Sequence, residues 1–303
     1  FMKNLSASEK MRIGIDLGGT KIEVAVLDQL GQIVLRQRVA TDAHLGVEHI
    51  FNRIKYLYQL ALASIARQEH TLGIGTPGSI SLKTGLLKNS NTVSLNGLAL
   101  QPILEEHLQH ACQIENDANC FAFAEAMLGA GQDHHCVFGV IMGTGCGGGL
   151  VINQQIRIGP QRLSGEWGHM TIDPNGPLCF CGKRGCVETF ISGSGLERMF
   201  LEKAARPLCA QDIFRLAAQG DRNASLILDI FYDQFGRAIS NLIHLLDPDV
   251  IVLGGGLSNQ EAIYQRGIDA VQRHLFSDEL TTPIIKNHLG DSDGVIGAAL
   301  IGI

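Results

Sequence analysis

A unit that occurs twice constrains this chain most: an apolar strand, a glycine turn and a second apolar strand. From Met11 the apolar residues alternate through Ile13, Ile15 and Leu17, the chain turns at Gly18-Gly19, and alternation resumes at Ile22, Val24 and Val26. Period-two alternation across a glycine turn is a hairpin signature. The second copy is apolar from Val137 to Met142, breaks at Gly143-Thr144-Gly145-Cys146-Gly147-Gly148-Gly149 and restarts at Leu150-Val151-Ile152. One such hairpin in each half suggests a duplicated α/β architecture with a ligand between the halves.

Helical patterns separate these units. Val47, Ile50, Phe51, Ile54, Leu57 and Ala61 follow a 3.6-residue period, as do Ile227, Phe231, Phe235, Ile239, Leu242 and Leu246. Val250 to Leu253 reads as a short buried strand, followed by Gly254-Gly255-Gly256. Capping boxes are expected at Ser258 with Glu261 and at Ser194 with Glu197. The domain boundary is expected near Glu115, where Cys112 to Ile114 gives way to Asn116-Asp117 and a helix through Met127. A smaller domain would then hold 11–115 and 290–303, and a larger one 116–289.

With 303 residues the chain has material for roughly two domains. A net charge of -6 argues against a surface that neutralises phosphate backbones, so nucleic acid is not the expected partner. The longest uncharged run, Cys136 to Ile156, is broken by glycines and ended by Asn153, Gln154 and Gln155, which excludes a membrane span there. No apolar signal core lies between Phe1 and Met11, and the expectation is a cytoplasmic protein. Its eight cysteines then read as thiols or metal ligands rather than disulfides.

Asp16-Leu17-Gly18-Gly19-Thr20-Lys21 puts a carboxylate at a strand end, then two residues without Cβ, a hydroxyl and an ammonium. Glycines let backbone N–H groups approach phosphate oxygens, Thr20 and Lys21 add donors, and Asp16 can hold a Mg²⁺ carried by a nucleotide. A plain hairpin turn is the alternative. Gly143, Gly145 and Gly148 match Gly-x-Gly-x-x-Gly, but a strand and not a helix follows, which excludes the dinucleotide fingerprint. Gly254, Gly255 and Gly256 leave room for a flat adenine, or serve close strand-to-helix packing. Asn116-Asp117 opens a helix, where Asp117 is either a cap or a base for a hydroxyl nucleophile, two uses that are compatible. Cys179, Cys181 and Cys186 with His169 ten residues before the first make a Cys₃His set, the composition of a structural Zn²⁺ site, with free thiols or redox chemistry as the alternative. Glu166, His169 and Glu188 lie nearby in sequence, enough polar groups for a polyhydroxylated ligand, although Glu166 and Glu188 read equally as plain surface carboxylates.

Together these motifs resemble the ROK family of sugar kinases and repressors, across Met11 to Ile303. The resemblance rests on Asp16 to Lys21, Glu115-Asn116-Asp117-Ala118-Asn119, Gly143-Thr144-Gly145, Gly165-Glu166-Trp167-Gly168-His169, the cysteine cluster and Leu253-Gly254-Gly255-Gly256. It implies a two-domain α/β fold of the actin-like, sugar-kinase ATPase (ribonuclease H-like) type, with ATP and sugar between the domains. It also implies transfer of the γ-phosphate of ATP to a hexose 6-hydroxyl. Asp117 would be the base, and Gly78, Ser79, Asn91, Asn116, Glu166, His169 and Glu188 would contact the sugar. Asp16, Gly18, Gly19, Thr20, Lys21, Gly143, Thr144 and Gly145 would handle the phosphates and Mg²⁺, and Gly254, Gly255 and Gly256 the adenosine. A homodimer is implied as well. Pro77-Gly78-Ser79-Ile80-Ser81, Thr84-Gly85, Lys88-Asn89, Asn91 and Leu95-Asn96-Gly97 look most like ROK fructokinases, so fructose is the expected sugar, with N-acetylglucosamine or glucose as the alternative. One position departs: Ser94 stands where the fructokinase pattern carries Trp. A sugar-responsive repressor is the distant alternative, disfavoured by the short stretch before the first strand.

Overall fold

The computed structural model describes residues 10–90 and 92–302, so Asn91, expected at the sugar, lies outside the described residues. The chain divides into two compact units. The first takes in the chain through Ala124, Ile158–Leu163 and the chain from Asp291 onward; the second is Glu125–Arg157 and Ser164–Gly290.

The first unit holds strands β1 (Met11–Leu17), β2 (Lys21–Leu27), β3 (Ile33–Ala40) and β4 (His70–Thr76), a short hairpin of β5 (Ser79–Ile80) and β6 (Leu87–Lys88), and β7 (Gln113–Asn116). The second holds β8 (Cys136–Met142), β9 (Cys146–Ile152), β10 (Gln155–Ile156), β11 (Val250–Gly254) and β12 (Ile284–Lys286). The sheets run β3-β2-β1-β4-β7 and β10-β9-β8-β11-β12. In each, three antiparallel strands lead and two parallel strands follow, so the two units repeat one topology. The doubled hairpin of the sequence is the start of each copy.

Helices cover these sheets: α1 (Val47–Ser64), α2 (Leu100–Leu108), α3 (Asp117–Leu128), the single turn α4 (Glu188–Ile191), α5 (Gly193–Ala204), α6 (Ala210–Ala218), α7 (Arg222–Leu246), α8 (Arg266–His274) and α9 (Asp293–Ile301). The two periodic stretches become α1 and α7. Ile50, Phe51, Ile54 and Leu57 of α1 are buried with Ile13, Ile15, Leu17, Ile22 and Val24, and Phe231, Phe235, Ile239 and Leu242 of α7 with Phe138, Val140 and Met142. Each such side chain contributes about 1.5–3 kcal/mol of burial. On the other face of the first sheet, α9 rests on backbone. A Cβ on Gly14 would overlap Val295 O, one on Gly73 would overlap Ala298 O, and one on Gly297 would overlap Cys120 O of α3.

The structure departs from the sequence reading in four places. β9 starts at Cys146 rather than Leu150, because Gly147, Gly148 and Gly149 are strand residues over which Trp167 lies; a Cβ on Gly148 would come within 2.7 Å of the Trp167 ring. Ser194 is not a cap: Ser192 caps α5 by accepting from Gly195 N–H at 3.0 Å, while Glu197 accepts from Ala210 N–H. Ser258 donates to Gly255 O at 2.7 Å inside a 3₁₀ turn and opens no helix. The 115/116 boundary differs from the division seen here, which passes through α3. Cys120 packs on Gly297 of the first unit, whereas Glu125 bonds the backbone of His288 and Leu289 in the second. Among the described residues no helix is long and apolar enough to cross a membrane.

Candidate active site

In the first unit the parallel strands β1, β4 and β7 end side by side, with Asp16 opposite Gly75, Gly75 opposite Glu115, and Thr76 opposite Asn116. Ligands of parallel α/β sheets bind beyond such carboxyl ends. Asp16 is half-buried over a glycine floor: a Cβ at Gly294 would lie 3.2 Å from its Oδ2 and one at Gly75 3.5 Å from its Oδ1. Burial, and next the negative charge of Asp117, push the Asp16 carboxyl up to about 7. The structure thus brings the two expected carboxylates together.

The turn after β1 is tight. Gly18 N–H donates to Lys21 O at 3.0 Å, and Thr41 ties the turn down by donating its hydroxyl to Gly18 O at 2.7 Å and its N–H to Thr20 O at 3.0 Å. Gly19 and Thr20 stay exposed at its tip. Thr41 was not legible in sequence, since its partners lie some twenty residues away.

Asn116 and Asp117 are both caps and neighbours of the loop after β4. Asn116 Oδ1 and Asp117 Oδ1 each accept from Ala118 N–H at 2.9 Å, and Asn116 Nδ2 donates to Gly78 O at 3.0 Å. Glu115 holds this turn from behind, accepting from Asn116 N–H at 2.8 Å and Asn119 Nδ2 at 3.0 Å. Gly78 has φ +86 and lies where a Cβ would overlap Lys88 O, so glycine is required there. Ser79 pairs with Lys88, and Asn96 bonds both Ser90 N–H and Ser90 O at 2.9 Å; Ser94 is exposed on the turn between them and α2. Buried Cys120 beside Asp16 is packing, not a nucleophile: burial and the carboxylates Glu115, Asp16 and Asp117 push its thiol well up.

In the second unit, Gly143, Thr144 and Gly145 turn between β8 and β9, and Gly143 N–H donates to Gly145 O at 3.0 Å. The start of α5 grips this turn: Gly193 N–H donates to Gly143 O at 2.8 Å and Ser194 Oγ to Thr144 O at 2.7 Å. Glu188 Oε2 accepts from Cys146 N–H at 3.0 Å and lies where a Cβ on Gly145 would be 2.6 Å away. Gly165 has φ +91, and Gly165 and Gly168 press the 3₁₀ turn Glu166–His169 against β9, with Trp167 Nε1 donating to Gly147 O at 2.9 Å. Glu166 is exposed and His169 half-buried. Gly254 ends β11, Gly255 takes φ +79 where a Cβ would be 2.5 Å from Met142 O, and Gly256 opens a 3₁₀ turn with open space beside it.

The same turn supplies His169 to a sulfur cluster. One ligand atom from each of His169, Cys179, Cys181 and Cys186 lies within 4.8 Å of the others, with Cys179 Sγ 3.6 Å from His169 Nδ1 and Cys181 Sγ 3.6 Å from Cys186 Sγ. Zinc–thiolate bonds of about 2.3 Å in a tetrahedron set sulfur atoms about 3.8 Å apart, so the set fits that ion. All eight cysteines are free.

Asp16 yields a test of its own. Its folded pKa stands above the ordinary 3.8, so the folded chain holds a proton that the unfolded chain releases. Stability is therefore lost as pH rises from about 4 through about 7, to a ceiling of about 4 kcal/mol. Asp16→Asn is expected to melt several degrees above the parent at pH 8 without Mg²⁺, the gap closing toward pH 4. Equal melting temperatures at pH 8 would show that Asp16 carries no such cost.

A family model described as "ROK family" matches residues 12–302. An N-acetyl-D-glucosamine kinase of Histophilus somni (strain 129Pt) is 35% identical over 302 residues, 96% of this chain and 98% of that protein. One of Aliivibrio fischeri (strain ATCC 700601 / ES114) is 36% identical over 307 residues, 97% of this chain and 99% of that protein. Among solved structures, the ROK hexokinase from Thermus thermophilus superposes with a TM-score of 0.87 at 32% identity, covering 96% of this chain and 97% of that one. A ROK family glucokinase from Streptomyces griseus, in complex with glucose and AMPPNP, gives 0.81 at 29% identity, covering 96% and 99%. The paired five-stranded sheets are those of the actin-like sugar-kinase ATPase fold, and the chain belongs to the ROK family.

Proposed function

We propose that this protein is an ATP-dependent sugar kinase that phosphorylates the 6-hydroxyl of N-acetyl-D-glucosamine. The observation that carries the kinase reading is the meeting of Asp16 and Asp117 at the carboxyl ends of parallel strands, beside a tight glycine turn. Asp117 is the base. Phosphoryl transfer passes through a loose transition state, so the base mainly orients the hydroxyl and takes its proton late. Asn116, tied to Gly78, fixes the sugar side of the same turn, and Ser79 follows directly. The Gly18–Lys21 and Gly143–Gly145 turns are assigned to the phosphates, and Gly254 to Gly256 to the adenosine.

Mg²⁺ fits at Asp16, where a carboxylate crowded by another negative charge is relieved by a cation. Bound there with ATP, it would neutralise phosphate charge. Zinc fits His169, Cys179, Cys181 and Cys186, and would hold the turn that carries Glu166. His169 turns Nδ1 toward Cys179, which assigns Nε2 to the sugar. Glu166 and Glu188 are the remaining sugar contacts proposed in this unit.

The fructose preference expected from residues 77–97 gives way to N-acetyl-D-glucosamine. Relatives carrying that name match 96–97% of the chain at 35–36% identity, whereas the fructokinase likeness rests on one segment whose Ser94 departs from it. Comparing kcat/KM across N-acetylglucosamine, glucose, fructose, mannose and N-acetylmannosamine tests this. The acetamido sugar is expected to lead fructose by at least about tenfold, the scale of one well-placed group in a pocket. Fructose in first place would restore the fructokinase reading, and no turnover on any sugar would end the kinase reading.

A further inference from the structure

We propose that Glu125 is a positioning residue for Asp117, clamping the far end of α3 to the chain that enters α9. The kinetic half of this inference rests on the kinase reading above; the structural half does not.

Glu125 is fully buried, and among the described residues it has no ion pair. Its carboxylate is held by backbone amides from two places in the chain. Oε2 accepts from Ala130 N–H at 2.7 Å, both oxygens accept from His288 N–H at 3.1 Å, and Oε1 accepts from Leu289 N–H at 2.9 Å. A buried carboxylate is costly unless such donors surround it, and these amides would be orphaned without it. α3 otherwise reads as apolar after Asn119, so a lone acid in it was the available sequence signal.

What the clamp joins gives it a purpose beyond stability. Asp117 begins α3, and Glu125 follows eight residues later, about 12 Å along the axis. Between them Cys120 O meets Gly297 of α9 with no room for a Cβ. α9 also carries Gly294, the floor beneath Asp16. From Leu289 only Gly290, at φ +69, Asp291 and Ser292 lead to α9, and Asp291 O accepts from Arg36 at 3.4 Å. α3 is thus held at two levels, near its start by backbone contact of Cys120 with Gly297 of α9, and at its far end by the Glu125 carboxylate on His288 and Leu289, which precede α9. Two holds along one continuous helix resist its tilting, and with it a shift of Asp117 at the helix start.

Two variants attack the clamp differently. Glu125→Gln keeps size but turns an amide N–H₂ toward backbone donors. Gly129→Ala keeps the charge but builds a Cβ that overlaps Glu125 Oε2. Each is compared with the parent for melting temperature, for kcat and KM on the best sugar, and for amide exchange across residues 117–131 and 287–301. Both are expected to stay folded at 25 °C and lose about 10- to 100-fold in kcat, with sugar KM nearly unchanged, the cost of misplacing a reacting group by about 1 Å. The double variant is expected to be no worse than the poorer single one, since both break one clamp. Exchange is expected to quicken within 117–124 and 293–301. A lower melting temperature with parental kcat per folded molecule, or quickened exchange confined to 128–131 and 287–290, would overturn the proposal. Should Glu125→Gln not fold, Gly129→Ala carries the same readouts; should the parent turn over no sugar, the kinase reading falls and the exchange pattern still decides this one.

Discussion

Asp117→Asn is expected to keep the fold and the sugar affinity and to lose about 10²–10⁴ in kcat, the range for removing a general base. The fold survives because the asparagine still offers an oxygen to Ala118 N–H, where Asp117 Oδ1 now accepts at 2.9 Å, and Asn116 caps the same helix with its own oxygen. What is lost is the acceptor for the hydroxyl proton. A second effect separates this from a general loss of activity. The Asp117 charge is one reason Asp16 stands at about 7, so its removal lets Asp16 fall toward the usual carboxylate range. The variant should therefore lose less stability than its parent between pH 5 and pH 8. Steady-state kinetics with melting curves across that range read both effects. Near-parental kcat would remove Asp117 from the mechanism, and an unchanged pH slope of stability would show that the two carboxylates do not interact.

What was legible in the sequence was whatever local periodicity controls. The doubled hairpins follow from alternation across Gly18-Gly19 and Gly143 to Gly145, and α1 and α7 from apolar residues at helical spacing, because burial of one face dictates each pattern. The cluster of His169 with three cysteines was legible because metal sites draw ligands from short loops. What stayed hidden depends on partners remote in sequence. Gly147 to Gly149 read as loop, since nothing local says that Trp167 will lie on them as strand. Ser194 read as a cap because its true partner, Thr144 O, is fifty residues back. Thr41 acts wholly through distant backbone, and Glu125 largely so, through His288 and Leu289. The division of α3 between two units follows from Gly297 and His288, and no composition shift at residue 124 marks it.

Chelation of the sulfur cluster is expected to unfold part of the second unit and to weaken sugar before ATP. The segment from Cys179 to Cys186 is ordered by turn hydrogen bonds, such as Cys179 N–H to Lys183 O at 2.8 Å and Gly185 N–H to Pro177 O at 2.8 Å, rather than by apolar packing. Its bridges are isolated pairs, Leu178 with Arg184 and Thr171 with Cys186, and Phe180 is exposed, so a small loop with almost no core of its own presents converging thiols. Metal binding and folding are coupled in such loops, where structural zinc supplies about 10–16 kcal/mol of apparent binding energy in isolated peptides. Carefully purified protein should carry about one zinc per chain, and a strong chelator should remove it with a melting temperature lower by ten degrees or more. Glu166 sits three residues from His169 on the same short turn, whereas Gly254 to Gly256, assigned to the adenosine, lie at the end of β11 and in the separate turn that follows it. Sugar KM should consequently rise several-fold at chelator concentrations that leave ATP KM unchanged. Cys186→Ser removes a fully buried thiol of the set and should reproduce both changes without chelator. Protein free of zinc that melts and binds sugar like the parent would mean that the four side chains converge without a metal to hold.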